Sequence, residues 1–452
     1  MKYFRLAADC YLIEGEKDAA VYDVGRARIF LLDEASYRVL RRCEDGAALD
    51  ESDWTNEYVM RFLNGLRDEG LGFFEDAPAF VDKFLPNAPV EWRGFCLQPP
   101  RYRRADWSIT NRCEMACSFC PRDGAVSWQT CQSCVRRNLA REDQTLFEHP
   151  RSIVQQIADL GVAVLHIRGG NPLLEWERLQ AVVEAASHYP HVSVIVTTPG
   201  TGQSIDQILT LYKLPNIRLN VVMLGISPAS VRSACGTDQT FDRQVQLVDA
   251  LRNGGFPLYL TFLLSRSTQH DRDKMIRFAR ERWQATASFA EIYREEEVPE
   301  RFRFTHLRAN GKPLAPWRSV EEFYFRIRSN TCLYGGFEIS ADGGIRPCAG
   351  LDQACGNIAA GDLRSALSGE HLYSLWNLGK GDVEPCGRCA LRYSCADCTA
   401  AEMAGVSNPR LKQAYCPFEP GGDARASESH WDHDGFVQVV KLEGKKVSCQ
   451  LR

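Results

Sequence analysis

Cysteine spacing constrains this chain more than any other feature. Its 452 residues carry 18 cysteines, at positions 10, 43, 96, 113, 117, 120, 131, 134, 235, 332, 348, 355, 386, 389, 395, 398, 416 and 449. They bunch at 113–134 and 332–416, and the interval between these groups holds only Cys235. Thiols scattered through a core for packing would not bunch in this way. A chain of this length can also bury a core large enough to need no covalent staples. Residues 1–18 have neither the apolar core nor the small-residue cleavage site of a signal peptide. The expectation is therefore a cytoplasmic chain whose clustered cysteines are metal ligands or catalytic groups rather than disulfides. Cys10, Cys43, Cys96, Cys235 and Cys449 have no neighbour at ligand spacing and are expected to be small buried hydrophobes.

Composition narrows the function classes. With 44% hydrophobic and 25% charged residues, the chain has the proportions of a folded protein of about two to four domains. Its 54 basic and 58 acidic side chains leave a net charge of −4, with no global attraction for nucleic acid or an anionic membrane. No apolar run approaches the roughly 20 residues of a membrane span. Neither nucleic acid nor membrane is an expected partner.

The pattern along the chain divides it into five parts. Residues 1–85 read as a compact winged-helix-like α+β module. Strand-like runs at 4–13, 19–24 and 27–32 precede helix-like stretches at 33–43 and 56–67, and 70–74 returns as a strand or wing. Residues 86–104 form a linker rich in proline and arginine (Arg93, Arg101, Arg103 and Arg104), suited either to an acidic peptide or to solvent. From 105 to 320 the pattern alternates. Strand-like runs at 107–110, 163–167, 192–197, 217–223, 258–264 and 288–293 are interleaved with helix-period stretches at 152–160, 175–187, 205–212, 241–252 and 271–282. Repeated βα units imply a parallel sheet with its chemistry beyond the C-terminal strand ends. Residues 325–420 are loop-rich, and their cysteine density points to a domain held by ligand bonds. The tail, 421–452, has one plausible strand at 436–442.

The first cysteine group begins with Cys113-x3-Cys117-x2-Cys120, directly after the first strand of the alternating region. Three closely spaced thiolates suit an iron–sulfur cluster, and three ligands on a four-iron cubane leave one iron open. A structural zinc site usually wants four protein ligands in two separated pairs, so the spacing favours iron–sulfur. Phe119 precedes the third cysteine. The second strand ends in Gly169-Gly170-Asn171-Pro172, where two glycines allow close backbone approach to a ligand and Asn171 can hydrogen-bond it. Cys131-x2-Cys134 stands open between half a metal site, a redox pair and two packed thiols.

Together these residues resemble the radical S-adenosylmethionine (SAM) superfamily across about residues 105–295. The likeness rests on the C-x3-C-x-aromatic-C motif, on Gly169-Gly170-Asn171-Pro172, and on Thr197-Thr198-Pro199-Gly200-Thr201 after the third strand. The resemblance implies an α/β fold, a partial (βα)6 TIM-like barrel. It also implies a 4Fe–4S cluster on Cys113, Cys117 and Cys120, with SAM bound near Phe119, Gly169, Gly170, Asn171 and Pro172. The family usually has glutamate at the position of Asn171, and an amide there cannot offset the ammonium charge of SAM. It usually has asparagine where this chain has Pro199.

The second group, Cys332-x10-Gly343-x4-Cys348 followed by Cys386-x2-Cys389-x5-Cys395-x2-Cys398 and Cys416, is too tight between its pairs for a usual zinc ribbon. It resembles a SPASM domain, the C-terminal extension of many radical SAM enzymes, although the last gap is one residue short. That resemblance implies two auxiliary 4Fe–4S clusters, making three clusters in all. Cys332, Cys348 and Cys398 would hold one, with Cys355 either its fourth ligand or unliganded. Cys386, Cys389, Cys395 and Cys416 would hold the other.

In such enzymes a module like residues 1–85 often binds the leader of a ribosomally made precursor peptide, by strand addition to a sheet edge. The resemblance therefore implies a radical SAM peptide maturase that abstracts hydrogen with a 5′-deoxyadenosyl radical. Its product would be a carbon–carbon, carbon–oxygen or thioether crosslink, and its partners a precursor peptide and an electron donor such as flavodoxin or ferredoxin. The alternatives are a formylglycine-forming oxidation of the sulfatase-maturase kind and a non-catalytic iron–sulfur peptide carrier.

Overall fold

The computed structural model describes residues 2–16, 19–83, 102–117, 120, 127–129, 149–214, 216–236, 239–264, 268–294, 319–351, 353–384, 386–394, 399–402, 410 and 437–438. Phe119, Cys96, Cys131, Cys134, Cys395, Cys398, Cys416 and Cys449 lie outside the described residues, as do the linker from 86 to 101 and most of the tail.

The N-terminal strand run, read from the sequence as continuous, is two strands. A turn at Ala7–Asp9, closed by the Cys10 amide on the Ala7 carbonyl at 3.0 Å, separates β1 (Tyr3–Leu6) from β2 (Cys10–Glu14). After β3 (Ala19–Asp23) and β4 (Arg28–Leu32), Asp33 caps α1 (Glu34–Glu44) by accepting from the Ser36 amide. A short helix α2 (Glu51–Thr55) follows, started by a reciprocal capping box between Asp50 and Asp53. Asn56 then caps α3 (Glu57–Asp68), which turns Val59, Phe62, Leu63 and Leu66 inward. Finally β5 (Gly72–Glu75) returns antiparallel to β1, the returning strand expected at 70–74. The helices and both small sheets share one core around Phe4, Phe30, Leu40 and Phe62. Fully burying each such side chain stabilises the fold by roughly 1.5–3 kcal/mol.

The alternating region folds as its period predicts. It runs β6 (Arg104–Thr110), β7 (Ser127–Gln129), α4 (Pro150–Asp159), β8 (Val164–Gly169), α5 (Trp176–Ser187), β9 (Ser193–Thr198), α6 (Ile205–Leu211) and β10 (Ile217–Met223). Then come α7 (Pro228–Cys235), α8 (Gln239–Asn253), β11 (Tyr259–Leu264), α9 (Arg272–Trp283) and β12 (Ala287–Arg294). Strands β6, β8, β9, β10, β11 and β12 lie side by side in chain order, every neighbouring pair parallel. This is the mostly parallel sheet of a partial barrel. Helix α7 was not expected. It begins at a Ser227–Ser230 capping box with Pro228 in the first turn and stops at Gly236, whose φ is +77°. Strand β7 was also not expected, and it lies antiparallel on β12.

Period-2 alternation sorts each strand's residues between two faces. Ala105, Trp107, Ile109, Leu165, Ile167, Val194, Val196, Leu219, Val221, Leu260 and Phe262 join the helix-covered core. The residues between them, among them Asp106, Ser108, His166, Arg168, Thr197, Asn220 and Thr261, face the other way.

Beyond α10 (Val320–Arg328), β13 (Gly336–Ile339) adds parallel to β6, and β14 (Gly344–Arg346) and β15 (Gly356–Asn357) continue the same sheet antiparallel. With α11 (Leu363–Ala366) and α12 (Glu370–Trp376), this segment sends Leu333, Phe337, Ile339, Leu363, Leu372 and Trp376 into the barrel core. Apolar burial therefore anchors the first half of residues 325–420, beyond the ligand bonds expected there. Strands β13 and β14 form a hairpin just before Cys348.

The outer face of the N-terminal sheet packs Ala20, Tyr22 and Ile29 against Phe323, Ala390 and Leu391, and Tyr22 Oη donates to the Ala390 carbonyl at 2.9 Å. Arg103, exposed and at the end of the expected linker, is nonetheless tied to the C-terminal region. Its guanidinium donates to the Tyr334 carbonyl at 2.8 and 3.0 Å and stacks near Phe325. Strand β16 (Val437–Gln438), within the expected 436–442 run, pairs parallel with the edge of β4. Among the described residues no helix is long and apolar enough to cross a membrane.

Candidate active site

The site is built where the loops after β6, β8 and β9 meet. Two backbone hydrogen bonds stitch the first two loops together, from the Gly170 amide to the Thr110 carbonyl at 2.9 Å and from the Asn171 amide to the Arg112 carbonyl at 2.7 Å. A Cβ on Gly170 would lie 2.2 Å from that Arg112 oxygen. The paired glycines therefore let the backbone that leads into Cys113 lie directly on the end of β8. The sequence expectation placed this closeness toward a ligand, whereas the close neighbour here is the cysteine loop itself. Arg112 adds an ion pair to Glu175 at 2.6 Å, on the short turn Pro172–Glu175.

Asn171 ties three loops together. Fully buried, its Oδ1 accepts from the Leu173 amide at 3.2 Å and from Thr198 Oγ1 at 2.8 Å. Its Nδ2 faces the Thr201 carbonyl at 2.9 Å and both Glu114 carboxylate oxygens at 3.0 and 3.1 Å. Pro172 is buried beside it. Glu114 was not singled out from the sequence. Its only signal there was a carboxylate lodged between the first two motif cysteines.

Cys117 is buried, and Cys113 and Cys120 are half-buried, in an apolar nest with Met115, Val222, Leu224, Val231, Cys235 and Leu263. The Cys120 amide donates to the Cys117 carbonyl at 3.2 Å, which folds the loop back on itself. Among the described residues no three His, Cys, Asp or Glu side chains stand as a metal-holding group. The fit to a cluster accordingly rests on the donor set and its place. Three soft sulfur donors share one apolar, half-buried nest at the C-terminal mouth of a parallel sheet, a setting suited to an iron–sulfur cluster.

On the inward face a row of polar side chains crosses six strands, from β13 to β11. Ser108 Oγ donates to Glu338 Oε1 at 2.9 Å, and Arg168 Nη2 to Asp106 Oδ1 at 2.7 Å. His166 Nε2 is hydrogen-bonded to Thr197 Oγ1 at 2.6 Å. Asn220 Nδ2 donates to the same oxygen at 3.2 Å, and Thr261 Oγ1 to Asn220 Oδ1 at 2.8 Å. Burial and the Arg168 charge push the His166 imidazole down to about 4, against the pull of Asp106. Against burial, Arg168 and Arg104 hold the Asp106 carboxyl far below the usual carboxylate range. Arg168 is fully buried, and Glu175 is engaged by Arg112, so neither projects into open space.

Of the second cysteine group, Cys348 is buried and Cys355 half-buried against the barrel core, and Cys332 is half-buried in the turn after α10. Cys386 is buried with Leu378 and Val383, and its carbonyl accepts the Cys389 amide at 2.9 Å. Asn330 links the turn to Thr399, since its Oδ1 accepts from the Cys332 amide at 3.1 Å and its Nδ2 donates to Thr399 Oγ1 at 2.7 Å. Of the cysteines expected to be plain hydrophobes, Cys10, Cys43 and Cys235 are buried. Burial pushes the Cys10 and Cys43 thiols up to about 12 and about 11, which keeps them protonated and inert.

Residues 107–279, which include the three-cysteine loop and the Gly169–Pro172 turn, match the radical SAM superfamily. The chain is a radical SAM enzyme. Radical SAM chemistry uses S-adenosylmethionine with a 4Fe–4S cluster. Among sequence relatives, the PqqA peptide cyclase of Xanthomonas axonopodis pv. citri (strain 306) is 25% identical over 316 residues, covering 65% of this chain and 79% of that protein. The PqqA peptide cyclase of Rhizobium meliloti (strain 1021) is 25% identical over 183 residues, 40% of this chain and 44% of that one. Among solved structures, Streptococcus suis SuiB bound to S-adenosylmethionine superposes with a TM-score of 0.51 at 14% identity, covering 92% of this chain and 100% of that one. Native anSMEcpe with bound AdoMet gives 0.52 at 14%, covering 69% and 93%. These two likenesses are of fold.

Proposed function

We propose that this radical SAM enzyme modifies a ribosomally made precursor peptide, forming a crosslink within it. The observation that carries this reading is the likeness to PqqA peptide cyclase across 79% of that enzyme's length. A cytoplasmic setting and an electron donor of the flavodoxin or ferredoxin type belong to the same reading.

In this reading Cys113, Cys117 and Cys120 hold the SAM-binding cluster, and SAM lies against Phe119 and the Gly169-Gly170-Asn171-Pro172 turn. When bound, the cluster supplies the electron that splits SAM into methionine and a 5′-deoxyadenosyl radical, which takes hydrogen from the peptide. The protein's part is positional. The stitched β6 and β8 loops fix the cysteine loop, the Met115–Leu263 nest keeps water from it, and the inward polar row lines the chamber where a peptide backbone would lie.

Residues 325–420 act as a SPASM domain. Cys332, Cys348 and Cys398, with Cys355 a candidate fourth ligand, hold one auxiliary cluster, and Cys386, Cys389, Cys395 and Cys416 hold another. The Asn330 bridge between Cys332 and Thr399 supports the first grouping, because Thr399 adjoins Cys398. Residues 1–85 act as the leader-binding module, with 86–104 as linker, 105–320 as barrel and 421–452 as tail. Strand addition at β4 is supported by β16, which already lies on that edge.

The test is anaerobic reconstitution with reductant and SAM, followed by co-expression with a precursor peptide read by mass. Wild type should release 5′-deoxyadenosine and the peptide should lose two hydrogens. The triple variant Cys113→Ala, Cys117→Ala, Cys120→Ala should do neither. Full cluster content without 5′-deoxyadenosine would end the reading.

A further inference from the structure

We infer that Glu114 is the carboxylate that receives the α-ammonium group of SAM, held in position by Asn171. The inference rests on the radical SAM reading of the site. SAM carries a cationic sulfonium and an α-ammonium, and an ammonium bound beside a partly desolvated loop needs an anionic acceptor.

The turn after β8 does not supply one. Asn171 is uncharged, fully buried, and has both ends of its amide occupied by Leu173, Thr198, Thr201 and Glu114. What Asn171 holds outward is Glu114. This residue sits next to Cys113 in the cysteine loop, is exposed, and has both carboxylate oxygens within 3.1 Å of Asn171 Nδ2. Among the described residues no basic side chain forms an ion pair with it. Arg112, the basic residue of the same loop, is committed to Glu175 at 2.6 Å.

An amide donating to both oxygens leaves the carboxylate oriented and still able to accept from a second donor. The asparagine therefore does not leave the turn without negative charge. It fixes a charge that the cysteine loop contributes, where the loops after β6, β8 and β9 meet.

The experiment compares wild type, Glu114→Gln and Glu114→Asp, each reconstituted to the same iron and sulfide content, by equilibrium dialysis against labelled SAM. Loss of a charge-assisted contact weakens binding roughly ten- to a hundredfold, so Glu114→Gln should fall by that factor while Glu114→Asp keeps more of the affinity. 5′-Methylthioadenosine, which lacks the amino-acid portion, should bind all three proteins alike. Glu114→Gln binding SAM within about twofold of wild type would overturn the inference, given ordinary scatter in such contacts. So would an equal loss of SAM and 5′-methylthioadenosine, which would mean a disturbed loop. Wild type with a full cluster and no SAM binding would bring down the radical SAM reading itself, a failure distinct from the other two.

Discussion

Gly169 lies so close to Thr110 that a methyl group on its α-carbon would stand 1.9 Å from the Thr110 carbonyl oxygen. Its φ of +127° is also one that side chains rarely adopt. The joint between β8 and the cysteine loop therefore admits only glycine. Gly169→Ala should force the loop off the strand and lower both the melting temperature and the iron content after reconstitution. Gly161 makes the control. It too has positive φ, at +72°, but nothing lies within 4 Å of its would-be Cβ. Gly161→Ala should cost only the backbone strain, about 1–2 kcal/mol, with iron content unchanged. Equal iron content in the two variants would refute the role of the joint.

The buried row on the inward face makes stability depend on pH in a defined window. His166 titrates near 6.5 in the unfolded chain and near 4 when folded, with burial the main cause and Arg168 the next. Below 6.5 the unfolded chain binds a proton that the folded one refuses, so stability falls as pH drops toward 4 and is unaffected above 6.5. At pH 5 the loss is about 2 kcal/mol. Asp106 stays ionised throughout this window, so Arg168 keeps its partner. Melting temperatures of wild type and His166→Asn between pH 7 and pH 5 check this. The wild-type slope should be the steeper, and parallel slopes would exclude His166 as its source.

The parts of the fold readable in advance are those that depend on local period. The six parallel strands follow from apolar runs bounded by helix-period stretches, and they fall within a few residues of where the runs lie. The split of β1 from β2 was hidden because Ala7-Ala8-Asp9 carries neither glycine nor proline. Helix α2 was missed although Asp50 and Asp53 spell its capping box, and α7 because its small residues make a weak apolar face. The cysteine loop was legible for the same reason as the strands, since its ligand spacing is local. The Asn171–Glu114 contact joins residues far apart in sequence and exists only once β6 and β8 are in register. The polar row needed knowledge of which strand face turns inward. The two-residue alternation of Asp106 with Ser108 and of His166 with Arg168 carried that signal, unread.

Docking of the N-terminal sheet onto the C-terminal region hangs partly on one phenol. Tyr22 is fully buried and donates to the Ala390 carbonyl at 2.9 Å. Tyr22→Phe keeps the ring packed on Phe323 but strips that carbonyl of its donor, a cost of about 1 kcal/mol. Limited proteolysis should then cut between the N-terminal module and the barrel faster than in wild type, with the barrel's own resistance unchanged. Identical cleavage rates would mean that apolar packing alone holds the module.

Among the described residues, little covers the edge of β4. Val437 and Gln438 pair with Ile29 and Phe30, whereas β3 holds the opposite edge of β4 along five residues. On the other side of the sheet, β2 has its Cys10 carbonyl occupied by Lys83 Nζ at 2.9 Å and its Glu14 carbonyl by Arg392 at 2.8 Å. Of the two edges, β4 is therefore the one where an incoming strand displaces only a short partner. Deleting residues 421–452 should raise hydrogen exchange at the outward amides of Arg28–Leu32 and leave β3 protected. If β16 competes with a peptide for that edge, the same deletion should tighten binding of the precursor's leader by roughly threefold to tenfold, the gain expected when a partly populated competent state becomes the main one. Unchanged exchange across β4 after the deletion would show that β16 does not guard this edge in solution.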